Sequence, residues 1–152
     1  MQIKMIVNRM LPVFAMSAVV FFVGCDMGHV VAVDKTPDQS IAEAKKSINR
    51  VTVGDVKNMI DAKENIVLLD VRNEHEFEQG HIPGAINIPR GSLEFDAVRI
   101  IPDKNARIIV YCGTDRRSVL ATRTMNDMGY KNAVDMTGGL KAWKEAGYPT
   151  VR

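Results

Sequence analysis

The chain reads as an α/β fold: a central parallel sheet of about five strands with helices on both faces. Three observations predict it. Ile66–Asp70 and Arg107–Tyr111 are continuous apolar, largely β-branched runs, as strands buried on both faces require. Helical patterns separate the strand-like runs, and strands alternating with helices imply parallel pairing. Glycine, proline and capping residues stand at the junctions, where such a chain must turn. With 152 residues there is room for one domain with a modest core.

The first 24 residues stand outside that domain and read as a signal peptide. Lys4 and Arg9 form a short basic region, and residues 11–24 are an almost uninterrupted apolar stretch. That stretch is shorter than the roughly 20 residues needed to span a bilayer core of about 30 Å. Its end, Phe22-Val23-Gly24-Cys25, resembles a bacterial lipoprotein cleavage box, although Phe22 replaces the usual leucine-like residue. The resemblance implies that Cys25 becomes the lipidated first residue of the mature chain. Asp26 resembles the signal that retains such proteins in the inner membrane. The expected location is therefore the bacterial cell envelope, lipid-anchored and facing the periplasm. An ordinary signal peptide with a soluble periplasmic product is the alternative.

Residues 25–49 read as a lipid-attached tether. Within it, Thr36-Pro37 looks like an N-cap followed by proline at the first helical position. Ile41, Ala42, Ala44 and Ile48 form a weak apolar stripe, which predicts either a short helix to about Ser47 or a disordered spacer. The domain is placed at residues 50–152. Val51 and Val53 fit a short edge strand, and Thr52-x-x-Asp55 resembles a capping arrangement ahead of Val56, Met59 and Ile60. After the strand Ile66–Asp70 come a short helix over residues 74–79, a type II turn at Pro83-Gly84, and a brief strand over 85–88. A short helix around 94–98 precedes the strand Arg107–Tyr111. Residues 118–128 are helical, with Leu120, Ala121, Met125 and Met128 on one side and Gly129 as a stop. Ala133–Met136 is the last strand, and residues 140–146 the last helix, stopped by Gly147 and Pro149.

Charge excludes a nucleic-acid surface. Loss of Lys4 and Arg9 with the leader takes the 20 basic residues to 18, against 18 acidic ones. Once Cys25 is acylated, Cys112 is the one remaining thiol of the chain's two cysteines, so no internal disulfide forms even in an oxidising compartment.

Cys112 is the most informative residue. It ends an apolar strand and is followed by Gly113-Thr114-Asp115-Arg116-Arg117 and a helix opening at Ser118. Ligands in parallel sheets bind beyond the carboxyl ends of strands. Backbone amides and the positive end of a helix converge there and favour thiolate over thiol. That is the setting of a nucleophile, whereas a free cysteine elsewhere is commonly no more than a buried small hydrophobe.

Loop length then separates two chemistries. Four residues lie between Cys112 and Arg117. The phosphate-binding loops of cysteine-dependent phosphatases carry one residue more, and the next position here is Ser118, which has no guanidinium to clamp a phosphoryl group. A tighter loop suits a single sulfur atom held as a persulfide. Arg116 and Arg117 are expected to supply a positive field for a sulfur-donor anion.

Further motifs accompany the loop. Leu68-Leu69-Asp70-Val71-Arg72, Glu76-Phe77, Gly80-His81-Ile82-Pro83-Gly84-Ala85 and Asn87-Ile88-Pro89 precede it; Met128-Gly129-Tyr130, Gly138-Gly139-Leu140 and Trp143 follow. Taken in this order the chain, from about Arg50 onward, resembles the rhodanese family of sulfurtransferases. The resemblance implies that Cys112 carries the persulfide and Arg117 closes the loop. Gly113, Thr114, Asp115, Arg116, Arg117 and Ser118 then surround the transferred sulfur. It further implies a small donor anion such as thiosulfate, an acceptor that is cyanide, a thiol or a protein cysteine, and no metal or organic cofactor. One departure is Asp115, at a position often glycine in relatives. Aspartate tolerates the left-handed backbone, but its carboxylate opposes thiolate formation unless Arg116 or Arg117 neutralises it. If Asp115 silences the thiolate, the domain is a non-catalytic sulfur- or partner-binding module. Arsenate or phosphate-ester processing is the remaining rival.

Other residues read as structural. Asp70 is expected to cap neighbouring amides and Arg72 to form an ion pair. His81 is expected to hydrogen-bond Glu76 or the backbone. His29 and His75 lack metal-ligand spacing. Trp143 reads as a core anchor, and Gly138-Gly139, without a P-loop lysine, as a close backbone approach to the cysteine loop.

Overall fold

Strands β1 (Arg50–Val51), β2 (Ile66–Asp70), β3 (Ile86–Asn87), β4 (Arg107–Tyr111) and β5 (Ala133–Met136) form one sheet in the order β1-β5-β4-β2-β3. Every pairing in it is parallel. The computed structural model describes residues 34–152, so the expected leader and Cys25 lie outside the described residues. Among the described residues six α-helices accompany the strands: α1 (Pro37–Ser47), α2 (Val53–Asp61), α3 (Glu74–Glu78), α4 (Leu93–Ile100), α5 (Arg116–Asp127) and α6 (Gly139–Glu145).

The centre of the sheet explains why its strands are apolar without interruption. Along β4, Ile108 and Val110 enter one cluster with Leu93 and Ala97 of α4 and Ala121 and Met125 of α5. Ile109 and Tyr111 enter the opposite cluster with Val56 and Met59 of α2 and Leu140 and Trp143 of α6. Alternate side chains thus meet a buried face either way, which is why Ile108 to Val110 are apolar without a break. Trp143 is buried, and its indole Nε1 donates to the Pro149 carbonyl at 2.8 Å, which satisfies the one polar atom it takes inside.

The capping signals set the starts of two helices. Thr36 and Gln39 exchange side-chain and backbone bonds at 2.9 and 3.3 Å, and α1 follows with Pro37 in its first turn. Helix α1 packs along α5 with Ala44 buried, and the compact unit begins at Asp34, ahead of the Arg50 start read from the sequence. Thr52 and Asp55 form a second reciprocal cap at 3.0 and 3.1 Å. That cap corrects the reading of Val53 as strand: β1 ends at Val51, and Val53 is the first helical residue of α2. Helix α5 likewise opens at Arg116, two positions before the expected Ser118, because Asp115 takes φ 79° and turns the chain early. Its buried face is Ser118, Val119, Ala121, Thr122 and Met125, and Leu120, expected on that face, is half-buried. At 82–85 the Ala85 amide bonds the Ile82 carbonyl at 3.0 Å with Gly84 at φ 80°, the type II turn the Pro-Gly pair predicts.

The end of β2 is fastened by a buried ion pair. Asp70 is fully buried and Arg72 nearly so, with Nη2 2.6 Å from Oδ2. Arg72 also donates to the carbonyls of Glu76 and Gly80, each at 2.9 Å, tying the strand end to both ends of the turn after it. Asp70 Oδ1 accepts from the Arg72 amide at 2.9 Å, so both residues are structural, as their sequence context suggests. Removing one partner from such a pair leaves a buried uncompensated charge. Arg72→Ala is therefore expected to lower unfolding stability by about 3–5 kcal/mol. Urea denaturation of both proteins checks this, and an unchanged midpoint would contradict the assignment.

Candidate active site

Strand β4 delivers Cys112 to the carboxyl edge of the sheet, where it is 1% exposed. Asp115 turns the chain there, and α5 starts immediately after it. The first-turn amides of a helix have no intrahelical acceptor, so those of α5 are free to face an anion at the strand end. The loop between is held on three sides.

Helix α6 holds its main chain. The amides of Leu140 and Lys141 donate to the carbonyls of Cys112 and Gly113 at 2.7 and 3.0 Å. Gly139 makes this approach: at φ 59°, a Cβ there would lie 2.5 Å from the Cys112 carbonyl oxygen. The Gly138-Gly139 pair is thus the close approach its sequence suggests.

The second hold is a fork between Arg117 and Glu76 of α3, with Nη1–Oε2 and Nη2–Oε1 at 2.6 and 2.7 Å. Glu76 Oε2 also accepts from the Asn73 amide at 3.1 Å. The Arg117 fork is the main reason the Glu76 carboxyl drops to about 2. The same fork pushes the Arg117 guanidinium up, with the nearby Cys112 acting in the same direction. Arg117 Nη2 stands 3.8 Å from where a Cβ on Gly113 would be, so the guanidinium lies against the loop itself.

The third hold concerns Asp115. Its Oδ2 is 2.6 Å from Arg50 Nη2 and 3.3 Å from Lys45 Nζ. Arg50 Nε in turn donates to Asp135 Oδ2 at 2.8 Å. Asp135 is fully buried on β5; burial pushes its carboxyl up, while neighbouring Ser118 and Arg50 pull it back. Neither expected arginine neutralises Asp115. Arg116 pairs with Asp38 of α1 at 2.7 Å, and Arg117 is taken by Glu76. Arg50, Lys45 and Asp135 were not readable as site residues, because Arg50 lies 65 positions before Asp115 and no local pattern connects them. Glu76 lies within a legible motif, but nothing in the sequence gives it Arg117 as partner.

Cys112, Gly113, Asp115, Arg117 and Ser118 are thus gathered at one strand end, with Ser118 buried on α5 and Thr114 exposed at the loop tip. Arg116 points its charge to α1. Of the histidines, His81 stacks on Phe77 at 3.7 Å and sets Nδ1 3.0 Å from the Phe77 carbonyl, and His75 bonds Gln79 at 2.9 Å. His29 lies outside the described residues.

Comparison with known proteins agrees with this geometry. The family model of the rhodanese-like domain matches residues 52–146. A Bacillus subtilis relative named for sulfur carriage is 34% identical over 102 residues, covering 67% of this chain and 54% of that protein. The chain therefore spans about half the length of that relative. A thiosulfate sulfurtransferase of Escherichia coli is 40% identical over 73 residues, covering 48% and 69%. Among solved structures, a Rhodopseudomonas palustris protein of unknown function, described as a possible tyrosine phosphatase, superposes with a TM-score of 0.73 at 30% identity, covering 78% of this chain and 96% of that one. A thiosulfate sulfurtransferase from Pseudomonas aeruginosa gives 0.68 at 27% identity, covering 76% and 22%.

The Glu76–Arg117 fork makes a pH prediction. A carboxyl lowered from 4.5 to about 2 contributes stability that is complete above pH 4.5 and lost as the pH falls toward 2. The stability gap between the wild type and Glu76→Gln should stay constant from neutral pH to about 4.5 and close toward pH 2. Denaturation across that range measures it. A gap still open at the acid end would show that the fork is not what Glu76 contributes.

Proposed function

The chain belongs to the rhodanese-like domain family, and from that premise we propose that it is a sulfurtransferase working through a persulfide on Cys112. One observation carries the reading: a nearly buried cysteine at a strand end, in a loop closed by Arg117 and capped by the first turn of α5. The Cys112 thiolate attacks the outer sulfur of a donor such as thiosulfate. The donor's sulfur–sulfur bond breaks, and sulfite leaves with the bonding electron pair. The amides of residues 113–118 face the transferred sulfur and share its negative charge. An acceptor nucleophile (cyanide, a thiol or a protein cysteine) then takes that sulfur, and the electron pair returns to Cys112. The cycle is two-step covalent catalysis.

Two features favour this reading over its rivals. The pairing of Asp115 with Arg50 and Lys45 removes the charge that would have argued for a silent binding module. The spacing from Cys112 to Arg117 is short for a phosphoryl group, which argues against arsenate or phosphate-ester processing. The names of the relatives from Escherichia coli and Pseudomonas aeruginosa lend support to a thiosulfate-type donor.

The reading extends to location. Residues 1–24 act as a signal peptide, Cys25 carries the lipid, and the residues after it link the lipid to the compact unit that begins at Asp34. The domain then faces the periplasm from the inner membrane. The Phe22-Val23-Gly24-Cys25 box supports this.

Intact-mass measurement after thiosulfate treatment tests the chemistry. The wild type should gain the mass of one sulfur atom and Cys112→Ser none, since a hydroxyl cannot carry a persulfide. Residual transfer to cyanide by Cys112→Ser would remove the assigned nucleophile, and turnover of an aryl phosphate by the wild type would favour the phosphatase rival. For location, Cys25→Ala should move the protein from the membrane to the soluble fraction with its sulfur transfer intact. A wild type already soluble in the periplasm would contradict lipid attachment.

A further inference from the structure

We propose that Arg50, at the start of β1, is a positioning residue for sulfur transfer that acts on Cys112 through Asp115. The inference rests on the reading of Cys112 as the sulfur carrier. Asp115 holds φ 79°, a left-handed conformation that glycine adopts freely and that aspartate tolerates at a cost. The next residue begins α5, so the direction of the amides around the cysteine depends on that turn. Something must therefore hold an aspartate there.

Arg50 is placed to do so from the rigid part of the fold. In the sheet register Arg50 lies beside Asp135, and Asp135 beside Val110, two residues before Cys112. Its guanidinium is anchored on the buried Asp135 through Nε at 2.8 Å and reaches Asp115 through Nη2 at 2.6 Å. The single side chain thus spans from the sheet to the turn of the loop. It cancels the carboxylate that would otherwise oppose the thiolate, and it fixes the residue whose backbone sets the cradle. Lys45, from α1, adds a second cation at 3.3 Å but with a more exposed side chain.

The test compares persulfide formation from thiosulfate in the wild type, Arg50→Ala, Asp115→Gly and the double variant. Arg50→Ala should slow the step roughly five- to thirtyfold, the population change that one left-handed residue's strain implies. Asp115→Gly removes both the charge and the strain, so the double variant should match Asp115→Gly alone. A merely structural role for Arg50 would leave the double variant as slow as Arg50→Ala, and that result overturns the proposal. So does an Arg50→Ala protein as fast as the wild type. If Arg50→Ala fails to fold because Asp135 is left buried without its partner, Arg50→Ala with Asp135→Asn replaces it, with and without Asp115→Gly, under the same criteria. If the wild type takes up no sulfur, the sulfurtransferase reading fails by itself. The rate of iodoacetamide alkylation at Cys112 in the same variants then decides the role of Arg50, with the same order expected.

Discussion

Two hydrogen bonds, from the amides of Leu140 and Lys141 to the carbonyls of Cys112 and Gly113, fix where the cysteine stands. They form only because residue 139 has no Cβ to meet the Cys112 carbonyl. Trp143, buried one turn further along α6, holds that helix in place. The last helix of the chain is therefore part of the site, although none of its side chains needs to reach the sulfur. The carbonyls of Cys112 and Gly113 are thereby turned to α6.

The charges around the loop are almost fully matched. Arg117 is forked to Glu76, Arg50 is shared by Asp115 and Asp135, and Arg116 meets Asp38. The positive potential expected from Arg116 and Arg117 is thus largely cancelled at short range. Such a site suits a small, delocalised negative charge on sulfur better than a phosphoryl dianion, which needs a free guanidinium. The ion pairs orient the loop, and in the proposed transfer the backbone amides stabilise what it carries.

Strands β2, β4 and β5 occur where the sequence places them, because burial on both faces leaves short, mostly apolar runs between helical patterns. The caps at Thr36 and Thr52 were legible for a similar reason: their partners lie three residues away. Val53 was misread because a β-branched residue says strand while the cap before it says helix, and the two reciprocal bonds of the cap prevail. The start of α5 was misread because a left-handed aspartate has no signature of its own. The partners Glu76 and Arg117 are 41 positions apart, and Arg50 and Asp115 are 65 apart. Contacts of that kind are set by how β1, α3 and α5 converge at one sheet edge, which no local pattern encodes.

In the proposed cycle the backbone of residues 113–118 receives the sulfur on Cys112. Amide NMR spectra of labelled protein, recorded before and after loading with thiosulfate, test it most directly. The amide resonances of residues 113–118 should shift together, as new hydrogen bonds to a negative sulfur require, and return on addition of cyanide. Shifts confined to other parts of the chain, with the loop amides unmoved while the mass of the protein rises by one sulfur, would contradict it.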